Sequence, residues 1–263
     1  MTVRYGARPP VEQVDHEIDA TRAPIATEAV TVTYLTDPEI VAAVLPRPLE
    51  PARQALVRVS IQRVAIDGRP PFGSAVFAVA ARHGDVEGDY PLFMPQSTEQ
   101  SVIGGRETFG EPKKLGEISV ERNGREVLAR VGRLGFPLIR VEGRVTGELE
   151  PPPDQVNTEF YFKFLRAPDG NGITDPHLVY GEYHRHYEMF EALEAEVELG
   201  ESPLDPIADL AIRSLGSVTW CRRRTVQTAR IAMRVPDEWV LPFVHQRYDD
   251  IALLAARPEP ASV

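Results

Sequence analysis

The residues in this chain best suited to covalent chemistry are two neighbouring lysines, Lys113 and Lys114. The 263 residues include 29 lysines and arginines, of which only Lys113, Lys114 and Lys163 are lysine and the other 26 are arginine. Arginine stays charged in proteins, whereas a desolvated lysine can give up its proton and attack a carbonyl. A chain that meets solvent with guanidinium therefore retains its amines for work that guanidinium cannot do. The pair lies in Gly105-Arg106-Glu107-Thr108-Phe109-Gly110-Glu111-Pro112-Lys113-Lys114-Leu115-Gly116, where glycine and proline define the backbone on both sides.

An ordinary lysine, with a pKa of about 10.4, is almost wholly protonated at neutral pH and attacks only if burial or a nearby cation favours the neutral amine. Lys114 is the adjacent cation. Successive side chains of an extended segment point opposite ways, so an apolar pocket is expected to be the larger cause, with Phe109, Leu115, Phe162 and Trp220 as candidate walls. An iminium formed on Lys113 would draw electrons from the bound substrate. That permits loss of carbon dioxide from a β-keto acid, or carbon-carbon bond making and breaking in an aldol sense.

Composition narrows the partners. A net charge of −10 and a pI near 5.2 disfavour nucleic acid and favour small molecules. The single cysteine, Cys221, cannot close an internal disulfide, which fits a reducing cytoplasm. No basic segment followed by an apolar stretch marks a leader, and no run approaches the roughly 20 apolar residues of a membrane span, so neither secretion nor a membrane partner is expected. His177, His184 and His186 lie along one segment, but no closed ligand set accompanies them and no metal is expected. Arg222-Arg223-Arg224 could hold a carboxylate or phosphate, although alternation turns only one face of such a strand inward. Neither a phosphate-cradling loop nor a dinucleotide fingerprint is present, and no cofactor is expected.

The elements that must carry these residues read as mostly β with some α. Val30, Val32 and Tyr34 alternate with Thr31 and Thr33, and Thr36-Asp37-Pro38 then opens a short helix ending before Pro46. Further strands are predicted at 55–66, 73–82, 116–121, 126–132, 136–148, 157–165, 177–188 and 217–234. Ser97-Thr98-Glu99-Gln100 has capping-box spacing for a helix ending at Gly104-Gly105. Asp237 can cap a C-terminal helix through about Ala256, with Pro242 in its first turn or breaking it. Residues 1–26 read as an N-terminal arm, 27–256 as one domain across the stiff Pro151-Pro152-Pro153 connection, and 257–263 as a tail.

Gly105-Arg106-Glu107 and Pro112-Lys113-Lys114-Leu115-Gly116 together resemble the acetoacetate decarboxylase family. Weaker matches support this at Tyr34-x-Thr36-Asp37, Pro46-x-Pro48-Leu49, Gly88-Asp89-Tyr90, Phe162-Lys163-Phe164 and Asp169-Gly170. The resemblance implies a β-barrel-like cone with packed helices, a homo-oligomer, and a Schiff base on the first lysine, Lys113, with Lys114 tuning it. That family's lysine is a standard case of an amine activated by desolvation or a neighbouring cation. The two pocket glutamates of the decarboxylases fall on Ser60 and Ser74, and serine supplies neither carboxylate repulsion nor proton transfer near neutral pH. Aldolase-dehydratases that use pyruvate carry a glutamine four residues before the lysine, where this chain has Phe109. Both departures point to a larger or more apolar substrate. Glu107 is the first choice to replace the missing acid and base, followed by Glu111 and Tyr90, and Arg22 is the counterpart of an N-terminal arginine that binds substrate carboxylate. The resulting expectation is a cofactor-free lyase acting on a keto acid. An aldolase-dehydratase on the same lysine and a non-catalytic small-molecule binder on the same fold are the alternatives.

Overall fold

Threonine and valine alternate along the first strand because its two faces meet different surroundings, and the same division recurs around the molecule. The computed structural model describes Tyr5, Gly6, residues 25–250 and residues 252–255. The predicted arm and tail, apart from Tyr5, Gly6, Ile25 and Ala26, lie outside these residues, and Arg22 with them. Twelve strands occur in the described chain: β1 Ile25–Leu35, β2 Glu50–Pro51, β3 Leu56–Ala65, β4 Phe72–His83, β5 Val86–Gln96, β6 Lys113–Leu115, β7 Glu117–Asn123, β8 Glu126–Arg133, β9 Phe136–Glu148, β10 Gln155–Arg166, β11 Ile173–Leu199 and β12 Ser214–Arg234. Helices α1 Pro38–Val44 and α2 Glu99–Phe109 are joined later by the short turns α3 Asp237–Val240 and α4 Val244–Arg247. The fold is mostly β, as the alternation predicts.

The strands pair in the order β10-β5-β4-β3-β1-β12-β11-β9-β8-β7. A further β10–β11 pairing brings the sheet back on itself, so that β1, β3, β4, β5, β10, β11 and β12 form a ring. Its β5–β10 seam is the parallel pair Asp89 with Glu159. Val30, Val32, Tyr34, Val57, Val59, Ile61, Phe77, Val79 and Val218 point out of the ring into the main apolar core, which β7–β9 help to cover. Burying each such side chain contributes about 1.5–3 kcal/mol. Alternate residues of the same strands, among them Thr31, Ser60, Ser74, Glu159 and Arg223, line the cavity. Period-two patterning therefore divides a dry exterior layer from a polar hollow.

Three departures from the sequence reading have local causes. β5 was not predicted, because Pro91 and Pro95 interrupt its pattern; Pro91 sits at an irregular step in the pairing with β4, and Pro95 lies where β5 meets the three-residue β6. Helix α2 begins one residue later than its capping box suggests, with Thr98 as N-cap, since Ser97 Oγ instead accepts the Gly73 N–H at 2.8 Å. It also continues through Gly104-Gly105 to a left-handed Gly110. The predicted C-terminal helix is broken at Pro242 into α3, a 3₁₀ turn Leu241–Phe243 and α4.

Gly110 ends α2 with φ of +84°, and a Cβ there would stand 2.6 Å from Lys163 Cβ. Both the conformation and the space require glycine. Gly110→Ala is expected to lower stability by about 2 kcal/mol or more, read from denaturant midpoints at unchanged slope.

Candidate active site

Lys113 is placed by a strand and two arginines. β6 pairs in parallel with the end of β5, setting Lys113 opposite Met94 and Leu115 opposite Gln96. Arg106 Nη1 donates to the carbonyls of Lys113 and Arg247, each at 3.0 Å. Arg247 in turn donates from Nη1 to Gly110 O at 2.5 Å and Glu111 O at 3.3 Å, and from Nη2 to Arg106 O at 3.0 Å. The guanidiniums satisfy carbonyls released at the end of α2 and fix the segment from Gly110 to Lys113.

Within that frame Lys113 Nζ lies 2.7 Å from Glu111 Oε2, with the lysine side chain 14% exposed and the glutamate 1%. Glu111 Oε1 accepts from Tyr183 Oη at 2.9 Å and from Gln227 Nε2 at 3.0 Å. Gly105 covers the pair: a Cβ on it would fall 2.0 Å from Glu111 Oε2 and 2.8 Å from Lys113 Nζ. The helix can approach this closely only because residue 105 has no side chain.

A chain of hydrogen bonds leads away from Glu111. Tyr183 Oη is 2.6 Å from Tyr161 Oη, which donates to Glu159 Oε2 at 2.5 Å. Burial, reinforced by the nearby carboxylates, raises both tyrosines well above their ordinary range, so they remain protonated. Burial also raises Glu159, with Asp89 and Glu111 adding repulsion, against the opposing pull of Arg185 and the Tyr161 hydrogen bond. Arg185 Nη2 stands 3.5 Å from Glu159 Oε1.

Lys113, Glu111 and the Glu159 end of this chain open on a cavity of about 800 Å³, within the range of small-molecule sites. Its lining carries five cations (Arg58, Arg69, Lys113, Arg185 and Arg223) and three anions (Asp89, Glu111 and Glu159). The cavity wall therefore carries an excess of cationic side chains in a chain of net charge −10.

The structure brings together Lys113, Glu111, Phe109, Ser60 and Ser74 of the sequence-derived residues, all on the cavity wall. Ser74 Oγ accepts from Gln96 Nε2 at 2.9 Å, and Ser60 Oγ is buried without a partner. Four other assignments require correction. Lys114 turns to the opposite side of β6, where Nζ lies 3.1 Å from Asp205 Oδ1 and 2.8 Å from Asp249 Oδ1, with Arg133 bridging both acids. It cannot tune Lys113 at close range because strand alternation separates the two amines and two carboxylates offset its charge. Glu107 is exposed, since Gly105, Thr108 and Phe109 form the cavity face of α2. Tyr90 donates to Gln246 Oε1 at 2.7 Å and packs on Phe162 in the apolar core. Trp220 is also core, with the Arg122 guanidinium 5.2 Å from its ring centre.

Leu115 is exposed and Phe162 is core, so Phe109 alone of the four proposed apolar walls lines the cavity. His184 and His186 are exposed, on the outer face of β11. Glu159, Tyr183, Arg185 and Gln227 were missed as site residues, whereas Arg223 is the one of Arg222-Arg223-Arg224 that lines the cavity. Their signal was alternation: Tyr183 and Arg185 share one face of β11, and Arg223 and Gln227 one face of β12.

Residues 8–235 match the family model described as acetoacetate decarboxylase. An acetoacetate decarboxylase from Burkholderia vietnamiensis is 27% identical over 195 residues, spanning 70% of this chain and 77% of the relative. A CLA biosynthesis isomerase from Lactiplantibacillus plantarum is 26% identical over 218 residues, spanning 73% and 76% respectively. Among solved structures, one of acetoacetate decarboxylase superimposes with a TM-score of 0.73 at 18% identity, covering 85% of this chain and 96% of the other.

The ion-pair cluster behind β6 makes the lysines separable by experiment. Lys114→Met leaves Arg133 as the one cation paired with Asp205 and Asp249 among the described residues and is expected to cost about 3–5 kcal/mol of stability, measured by denaturant unfolding. Burial pushes the Asp249 carboxyl up, but hydrogen bonds and charge from Lys114 and Arg133 outweigh it and hold the group below the usual carboxylate range. A depressed folded-state value means that Asp249 stabilises fully above its unfolded pKa of about 3.9 and loses this contribution as pH falls through the folded value. The stability gap between wild type and Asp249→Asn should therefore be widest near neutral pH and close progressively below about pH 4.

Proposed function

This chain belongs to the acetoacetate decarboxylase family, and from that membership and the site we propose that it is a lyase forming a Schiff base between Lys113 and a keto acid. The observation that carries the reading is the 2.7 Å contact between a cavity-facing amine and a carboxylate buried beneath a glycine. In the ion pair the amine is charged and inert. Glu111 is the group within reach of its proton, and transfer to Oε2 leaves a lone pair able to attack a carbonyl in the cavity.

Attack joins Nζ to the carbonyl carbon and gives a carbinolamine. Its hydroxyl leaves as water when the proton held by Glu111 returns, and the product is an iminium. From a β-keto acid, the bond to the carboxylate then breaks, carbon dioxide departs, and its electron pair moves into the iminium to give an enamine. Protonation at carbon and addition of water release the ketone and restore Lys113. The Tyr183 and Gln227 hydrogen bonds hold Glu111 Oε1, directing Oε2 toward the amine. The excess of cationic side chains favours entry of the keto acid as an anion. With serine at positions 60 and 74, Glu111 is the carboxylate in contact with Lys113, and it serves as both base and acid.

Borohydride reduction in the presence of acetoacetate, 3-oxohexanoate or pyruvate with an aldehyde tests the covalent step. The expected result is a stable mass increase on the peptide carrying Lys113, absent from Lys113→Arg. Glu111→Gln should slow trapping by about 10²-fold or more. Release of carbon dioxide from the β-keto acids supports the decarboxylase reading, whereas condensation only in the pyruvate mixture supports the aldolase-dehydratase. Unchanged ligand binding by Lys113→Arg, with no adduct in wild type, would overturn the lyase in favour of a binding protein.

A further inference from the structure

Arg223 is the one cavity cation of β12, and its guanidinium carbon lies 6.0 Å from the centre of the Tyr187 ring. It is 5% exposed. Its Nη1 donates to Cys221 Sγ at 3.2 Å and its Nη2 to the neutral Gln62 Oε1 at 2.9 Å, while Nε has no partner. Among the described residues no carboxylate lies within ion-pair distance of it. Burial and then the positive charge of Arg185 act against its protonated form. Arg185, one step along the same wall, engages Glu159, but its own Nε is also unpartnered. Ser60 Oγ, on the same face of β3 as Gln62, is a further buried hydroxyl without a partner. A buried, unpaired guanidinium carries a heavy desolvation penalty, which a bound anion offsets.

Distance separates this group from the reacting amine. Gln227, which touches Glu111, lies four residues from Arg223 on β12, a span of roughly 13 Å at about 3.3 Å per residue. The Arg223 guanidinium leans toward Cys221, on the side away from Gln227. A carboxylate held there is not the one that departs from carbon next to the iminium.

We infer that Arg223, with Gln62 and Ser60, forms a second anion subsite that binds a carboxylate remote from the carbonyl at Lys113, so that the substrate is an extended oxo dicarboxylate. This rests on Lys113 as the Schiff-base residue for the position of the carbonyl, but the anion subsite itself can be tested without it. The long cavity then has a chemical end at Lys113 and a recognition end at Arg223. Chain length between the two groups sets which substrate reaches both.

Two measurements test the inference. Calorimetric titration compares sebacate with decanoate, neither of which has a carbonyl to react. Wild type is expected to bind sebacate at least tenfold more tightly, and Arg223→Gln to lose that preference. Arg223→Lys, which keeps the charge without the planar fork, should retain part of it. Thermal unfolding checks that the variants are folded; Arg223→Gln removes an unpaired buried charge and should not lower Tm. Borohydride trapping then compares 3-oxoadipate, 3-oxosuberate and 3-oxosebacate with 3-oxo monocarboxylates of matching length. A longer dicarboxylate should half-saturate at tenfold or more lower concentration than its monocarboxylate, and Arg223→Gln should abolish the gap while trapping at saturation persists. Equal binding of sebacate and decanoate by wild type, or a sebacate preference that survives Arg223→Gln, overturns the Arg223 subsite. Sebacate preference that depends on Arg223, with no adduct from any oxo acid, instead overturns Lys113 as the reacting group and with it the oxo dicarboxylate assignment.

Discussion

The contact between Lys113 and Glu111 imposes its geometry on a large part of the chain. A buried carboxylate and an amine 2.7 Å apart need a site from which water is largely excluded, yet one open to a ligand on one side. Glycine at 105 supplies the exclusion, because α2 can then lie directly on the pair. The opening is supplied by the ring of strands, whose inner faces carry hydroxyls, amides and guanidiniums where a packed core would carry Leu and Val. Arg106 and Arg247 hold the intervening turn through backbone carbonyls, so the contact is fixed by main chain and does not rely on the packing of flexible lysine carbons.

This arrangement explains why two adjacent lysines can have unrelated roles. On β6 one side chain faces the cavity and the next faces the interior behind the strand. Lys113 meets a single buried acid that shares its charge with Tyr183 and Gln227, and Lys114 meets Asp205 and Asp249 in a closed network with Arg133. The second amine is therefore an anchor for the three-residue strand that presents the first. Breaking that anchor would release β6 from behind, which couples the position of the reacting nitrogen to an ion-pair cluster it never touches.

Much of the fold was legible because the physical signal is local and periodic. Val30, Val32 and Tyr34 alternating with Thr31 and Thr33 specify a strand with one apolar and one polar face, and that strand is found. β5 was illegible because Pro91 and Pro95 argue against a strand, and only its neighbours β4, β6 and β10 accommodate them. In the site, Lys113 could be found from composition, whereas Glu107 was preferred to Glu111 with nothing in one dimension to show which face of α2 meets the cavity. Glu159 and Tyr183 were harder still. They reach the cavity through ring closure, a long-range event that joins residues far apart in sequence.

Ring closure also explains how a polar cavity is tolerated in the middle of a β structure. A sheet face bearing Arg185, Arg223, Asn157 and Glu159 would be costly against a second sheet, where each group would need a partner in a dry interface. Around a hollow large enough for ligand and water, the same groups hydrogen-bond one another or await a bound anion, and the cost is confined to the few left unpaired. The apolar stabilisation comes from the outward faces, under β7–β9 and the helical segments. Separation of the two faces thus lets inner residues change with substrate while the outer core is kept. What the proposed chemistry requires of the wall is narrower: an amine facing inward, a carboxylate beside it, and a glycine above both.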